Sequence, residues 1–195
     1  MYHTRLLQDR TFYEMLARFD GDLAAEVHAR GCPCGGRLHR ASYPRKPRGG
    51  PADLGPAYDW RHSFCCAREG CRRRSTPASL RFLGRRVYLG AVLILVSLMA
   101  HGLTGARLTR LRDTLGGSLS VRTIGRWRTW WRDAFPRSPF WRQACGRFAP
   151  PVDRTHLPVT LLARFPAPTL GGRLRLLLTF LAPLTVPGAG SLRAG

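Results

Sequence analysis

Five of the six cysteines fall in two groups, and metal ligation is the chemistry their spacing suggests. Cys32 and Cys34 flank one proline and precede Gly35 and Gly36, while Cys65, Cys66 and Cys71 follow in "SFCCAREGCRRR". Zinc takes four soft or borderline ligands in a tetrahedron, and two tight turns each supplying two ligands is a common solution. Glycines beside the cysteines let backbone N–H groups aim at the thiolates. The first turn is Cys-x-Cys, one residue shorter than the usual Cys-x-x-Cys knuckle. In the second group adjacent thiols seldom share one ion, so Cys71 pairs with either Cys66 or Cys65. Cys66 is preferred, because strand alternation then turns it inward and the loop is tighter. His39 and His62 stand in reserve. Four protein ligands leave no open position for a water, and no glutamate is placed as a base, so the expected zinc is structural. Its task would be to hold a small β segment with almost no core of its own. Two clusters of buried free thiols are the alternative. Cys145 stands alone and reads as a small buried hydrophobe.

The second stretch with chemical content is "SVRTIGRWRTWWRDAF", Ser120–Phe135. At 100° per residue, Val121, Ile124, Trp127, Trp131 and Phe135 gather on one side. Arg122, Arg126 and Thr129 fall opposite, with Thr123, Gly125 and Trp130 flanking. Before it, "ARLTRLRDTLG" places Leu108, Leu111 and Leu115 on one face and ends at Gly116–Gly117. Two helices around such a turn have a helix-turn-helix outline, whose second helix lies in the major groove. Arginine there can donate two hydrogen bonds to guanine O6 and N7, so Arg122 and Arg126 are the candidate base readers, with Thr123 and Thr129 beside them. Arg107, Arg110 and Arg112 would meet phosphates, and Arg128 and Arg132 would reach the backbone from the packing edge. An amphipathic core helix with merely solvated arginines is the plainer reading. Against it stand the glycine-bounded turn and the shortage of acids, since residues 104–148 hold ten arginines against Asp113 and Asp133.

The whole chain shares this bias. Lys and Arg number 32 against 11 Asp and Glu over 195 residues, and Lys46 is the only lysine. Residues 1–30 hold four arginines and five acids, so the surplus lies beyond them. A charge of +21 repels itself unless a polyanion neutralises it, and nucleic acid is the usual one. Codon bias explains arginine over lysine but not the scarcity of acids. With 44% hydrophobic residues a packed core is expected and wholesale disorder is not.

Several elements must position these groups. Asp9 or Thr11 can cap a first helix over 11–30, which Gly21 interrupts and Gly31 ends. Residues 41–58 are a Pro-, Gly- and Arg-rich loop, "YDWRHSF" a short strand, and "RRRSTPASLRFLG" a linker. An apolar helix is expected over 85–101, and "SPFWRQACGRF" is a last helical piece before a proline-punctuated tail. The run Leu89–Ala100 is twelve residues long, where about twenty are needed to cross a bilayer. "MYHTRLLQDR" meets charges before any apolar stretch, so no secretory signal is read and a cytoplasmic location is expected. In that compartment clustered cysteines favour metal over disulfides.

A cysteine knuckle, a basic linker and a helix reading "SVRTIGRW" together resemble the N-terminal DNA-binding half of bacterial insertion-sequence transposases and their small accessory proteins. The resemblance covers about residues 31–135. It implies a zinc ribbon with Cys71 at a ligand position in "GCRRRSTP", and a recognition helix with Arg122 and Arg126 at base-reading positions. The short first knuckle departs from the family pattern. Such transposases hold two metal ions with three carboxylates on a separate catalytic domain. Here only Asp113, Asp133 and Asp153 follow the ribbon, and strand cleavage is not expected.

The fold expected is therefore mainly α: a trihelical helix-turn-helix with a small β zinc-ribbon-like insert. It divides into an N-terminal helix (1–30), a knuckle region (31–75), a helix-turn-helix domain (85–148) and a Pro/Leu-rich tail of unassigned fold (149–195). The function expected is sequence-specific DNA binding for a mobile element, without enzymatic activity. Double-stranded DNA and a separate transposase subunit are the expected partners, no membrane is involved, and a homo-oligomer is compatible. A transcriptional regulator dimerising through helix 85–101 is one alternative, and an arginine-rich RNA-binding protein is another.

Overall fold

The computed structural model describes residues 6, 9–45, 54–83, 87–88, 104–106, 109 and 121–186. A carboxylate starts the first helix. Asp9 accepts from the backbone N–H groups of Thr11 (3.0 Å) and Phe12 (3.4 Å), satisfying donors that the first turn of α1 (Arg10–Arg30) leaves open. Gly31, at φ 73°, ends it in a conformation other residues resist. Gly21 does not break the helix. Phe12, Tyr13, Leu16, Asp20 and Ala24 are buried along one stripe, and tertiary packing outweighs one poor helix former.

That stripe bridges two cores. Its first half packs into the larger one, with Ile124, Trp127, Trp131, Phe135, Trp141, Leu161 and the leucines at 174, 177, 178 and 181. Its second half meets the smaller, where Ala24 joins Cys32, Leu38, Phe64 and Cys66.

The smaller core sits on antiparallel strands: β1 (Leu38–Arg40), β2 (Tyr43–Pro44), β3 (Trp60–Arg61), β4 (Phe64–Cys66) and β5 (Arg74–Ser75). Order β1-β4-β5 forms one sheet and β2 pairs with β3. Leu38 faces Cys66, Arg40 faces Phe64 and Tyr43 faces Arg61, a constant register, so β1–β2 and β3–β4 are the two arms of one long hairpin. The expected loop over 41–58 thus contributes a strand, and "YDWRHSF" supplies two.

The expected linker after Arg74 is instead structural. Ser79, Leu80, Arg81 and Phe82 are buried, and β6 (Phe82–Leu83) pairs with β7 (Val87–Tyr88). Val87 and Tyr88 lie in what was expected as the first turn of helix 85–101. They are strand, because a β-branched and an aromatic residue pair well across a hairpin. The rest of that helix lies outside the described residues.

The next described helix is α2 (Val121–Thr129), continued by a wider turn over Trp130–Ala134 in which the N–H of Phe135 reaches back to the carbonyl of Trp130. The helical path runs on through α3 (Phe135–Arg137) rather than stopping at Pro136. A widened turn makes room for a proline ring that would otherwise clash with the preceding turn. Ser138 then caps α4 (Pro139–Ala144), accepting from Trp141 N–H at 3.1 Å.

The tail folds too. Through α5 (Val159–Leu162) and α6 (Leu170–Leu181) it supplies Leu161, Leu174, Leu177, Leu178 and Leu181, each at most 2% exposed, to the core that α1 and α2 share. Residues 149–186 thus contribute to the same core as α1 and α2, which spans the expected boundaries at 30 and 148. Leucines three and four apart line this face, but the prolines that punctuate the tail hide it in the sequence. The architecture is mainly helical with small antiparallel sheets, as expected. The first helix of the expected helix-turn-helix and its turn at Gly116 lie outside the described residues, apart from helical Gly105, Ala106 and Thr109. No helix among the described residues is long and apolar enough to cross a membrane.

Candidate metal centre and nucleic-acid face

The hairpin register sets the metal centre. Phe64 and Cys66 share a face of β4 and turn toward α1, while Cys65 turns to the other face. The choice between the adjacent thiols is therefore made by strand alternation. Cys66 is fully buried, and Cys65 Sγ lies 3.5 Å from the carbonyl of Arg72.

Cys32 and Cys34 come from a tight turn in which Gly35 N–H donates to Cys32 O (2.8 Å) and Cys32 N–H to Gly36 O (3.2 Å). Gly35 takes a φ of +78° there. Cys71 comes from a second turn, closed by its N–H on Arg68 O at 3.1 Å. The four sulfurs of Cys32, Cys34, Cys66 and Cys71 lie within 4.8 Å of one another. Cys34 is 3.5 Å from both Cys32 and Cys66, and Cys32 is 3.8 Å from Cys71. Tetrahedral zinc with bonds of about 2.3 Å sets its sulfurs ~3.8 Å apart. This is a four-thiol site able to hold a metal ion. His39 is exposed and faces Cys65 across the strands. His62 is half-buried, held below its usual range first by burial and then by the positive charge of Arg81. Neither joins the cluster.

The thiols differ in protonation. The backbone amide of Gly36, with the neighbouring thiols, lowers Cys34 to about 6. The Arg68 amide lowers Cys66, but burial and the three other thiols outweigh it and hold Cys66 at about 12. A site that already carries one thiolate beside an amide is prepared for a cation.

Gly36 is required by space. A Cβ there would lie 2.6 Å from Cys66 Sγ and 3.3 Å from Cys34 Sγ, whereas one on Gly35 would meet nothing within 4 Å. Gly36→Ala is expected to weaken metal retention roughly tenfold or more, since overpacking typically costs about 1–3 kcal/mol. Titration against a chromogenic chelator measures it, and retention equal to wild type would mean the knuckle yields without cost.

The candidate reading helix has the expected two faces. Ile124, Trp127, Trp131 and Phe135 are buried, none above 6% exposure, in an aromatic group where Trp131 and Phe135 ring centres are 4.7 Å apart. Arg122, Arg126, Arg128 and Thr129 are exposed, and among the described residues no carboxylate pairs with these arginines. Of Thr123 only the helical backbone is described. Arg132 is exposed and pairs with its neighbour. Its Nε and Nη2 each donate to an Asp133 oxygen at 2.9 Å, which raises Arg132 and lowers Asp133. Arg107, Arg110 and Arg112 lie outside the described residues.

Two groups escaped the sequence reading. Asp20 and Arg81 form a buried ion pair, although Asp20 sits on the line of Phe12, Leu16 and Ala24, where a lone acid signals a buried partner. Arg68 is fixed against the knuckle, Nη1 donating to Cys34 O at 2.9 Å. Cys145, expected buried, is half-exposed.

No protein family, curated protein or solved structure matches this chain.

Proposed function

We propose that this chain is a sequence-specific double-stranded DNA-binding protein whose knuckle is stapled by one structural zinc ion. The observation that carries the reading is α2, which sinks one face among tryptophans and leaves Arg122, Arg126 and Arg128 exposed on the other. A rod anchored in this way can enter a major groove without losing its own packing. The excess of 32 basic over 11 acidic residues supplies the attraction to phosphate. Four thiol ligands with no imidazole or carboxylate favour zinc among the abundant divalent ions. The resemblance of "SVRTIGRW" and the knuckle to transposase DNA-binding regions supports a role beside a mobile element, for instance as an accessory subunit.

Selection of bound duplexes from a random pool tests the reading and should return a shared sequence. Arg126→Ala should then relax preference at one base position by about 1–3 kcal/mol while leaving the others unchanged. Equal loss on every sequence would mean that the helix does not read bases.

A further inference from the structure

Beside the knuckle lies an open depression of about 460 Å³, lined by Cys34, Gly35, Gly36, Arg37, Ala67 and Arg68. The hairpin sets where its two arginines stand on the backbone. Ala67 N–H donates to Arg37 O at 2.9 Å, extending the register of β1 with β4, so Arg37 stands opposite Ala67 and next to Arg68 across the hairpin. Both side chains are exposed. Arg68 is further fixed by its bond to Cys34 O, which uses one nitrogen and leaves the other donors of the fork available. From this depression the basic surface continues along the sheet. His39 and Arg74 flank Cys65 in register, both exposed, and Arg74 lies over the ring of Tyr43 at 5.7 Å. Over residues 31–75 the sequence holds ten basic residues against Asp53, Asp59 and Glu69.

We infer that this end of the knuckle is a phosphate-backbone clamp, in which Arg37 and Arg68 grip duplex DNA. The inference rests on the DNA-binding reading above and gives the metal site a second use. The same four-cysteine turn that closes the minor core fixes the carbonyl to which Arg68 is tied. A guanidinium already held in place loses less freedom on meeting a phosphate than a free one. The contact carries no sequence information, so it sets affinity and register rather than specificity.

The test uses the full chain with its metal content measured. Binding to a selected duplex and to an unrelated duplex is followed across a salt series. Arg37→Ala and Arg68→Ala together should weaken both complexes by a similar factor, on the order of tenfold or more at low salt. The log–log salt slope should fall by about 1 for each arginine removed. Because Arg68 also touches the knuckle, Arg37→Glu is the second variant. It should retain full metal content and weaken both duplexes at least as much as Arg37→Ala. An unchanged slope and affinity in both variants would overturn the clamp while leaving base reading by α2 intact. Wild-type protein that binds structured RNA but no duplex DNA would overturn both.

Discussion

Asp20→Ala is expected to destabilise the protein by about 3–5 kcal/mol, a large share of the stability of an ordinary domain. The carboxylate is 1% exposed and every bond it makes is to another segment. Arg81 Nε donates to Oδ2 at 2.8 Å, Leu80 N–H donates to Oδ1 at 2.6 Å, and the Ser79 hydroxyl donates to Oδ2. Ser79 in turn accepts from Arg81 and Phe82 N–H at 3.1 Å, and its own N–H donates to Thr185. Arg81 passes on to the carbonyls of Tyr58 and Trp60 and lies 5.0 Å from the ring centres of Tyr58 and Phe82. One acid on α1 therefore ties the hairpin, the segment after it and the end of the described chain into a single unit. Its removal leaves a buried guanidinium without a counter-charge, which costs more than the pair contributes over an apolar replacement. Denaturant midpoints measure the loss. A cycle with Arg81→Met separates the pair from its surroundings, and the double variant should recover part of the stability lost in Asp20→Ala. A coupling near zero would mean that the pair is not the link.

Legibility in the sequence followed the kind of force at work. The ligand set was readable because four cysteines at turn-like spacing have little else to do, and strand alternation around Phe64 chose Cys66 over Cys65. The sunken face of α2 was readable because tryptophans at helical spacing must be buried. The segment 76–83 reads as linker in the sequence, because its burial depends on a partner far away in the chain. Arg81 looks like a solvated charge until Asp20 is placed beside it. The fold of the tail is hidden in the sequence for a similar reason. Its prolines at 158, 166, 168 and 183 punctuate the helices, yet Leu174 to Leu181 share one face once α1 is there to cover it. Long-range pairing of this kind leaves only faint local periodicity.

Stripping the metal is expected to melt the knuckle and spare the larger core. Besides Cys32 and Cys66, the minor core buries only Ala24, Leu38 and Phe64, with Val27 packed against it. So few apolar side chains offset little of the cost of ordering the cysteine turns and strands β1, β4 and β5, at about 1 kcal/mol or more per residue. A bound metal would supply the balance, as in small domains that fold only around their metal. Purified protein should hold about one zinc per chain. In chelator, amide exchange over β1, β4 and β5 should lose protection, while amides around Trp131, Phe135 and Leu177 keep theirs. The pH dependence has a definite sign. Metal displaces protons from thiols, and with Cys32 raised and Cys66 at about 12, at least two must leave near neutrality. Apparent affinity should thus fall by ~100-fold or more for each unit of acidification below neutral, the signature of proton-linked binding. Cys66→Ser should remove the metal at any pH, because a buried hydroxyl is a poor zinc ligand, whereas Cys65→Ser should leave it bound. Less than a tenth of an equivalent of metal, together with full exchange protection of the sheet in chelator, would show that packing alone holds the four thiols together.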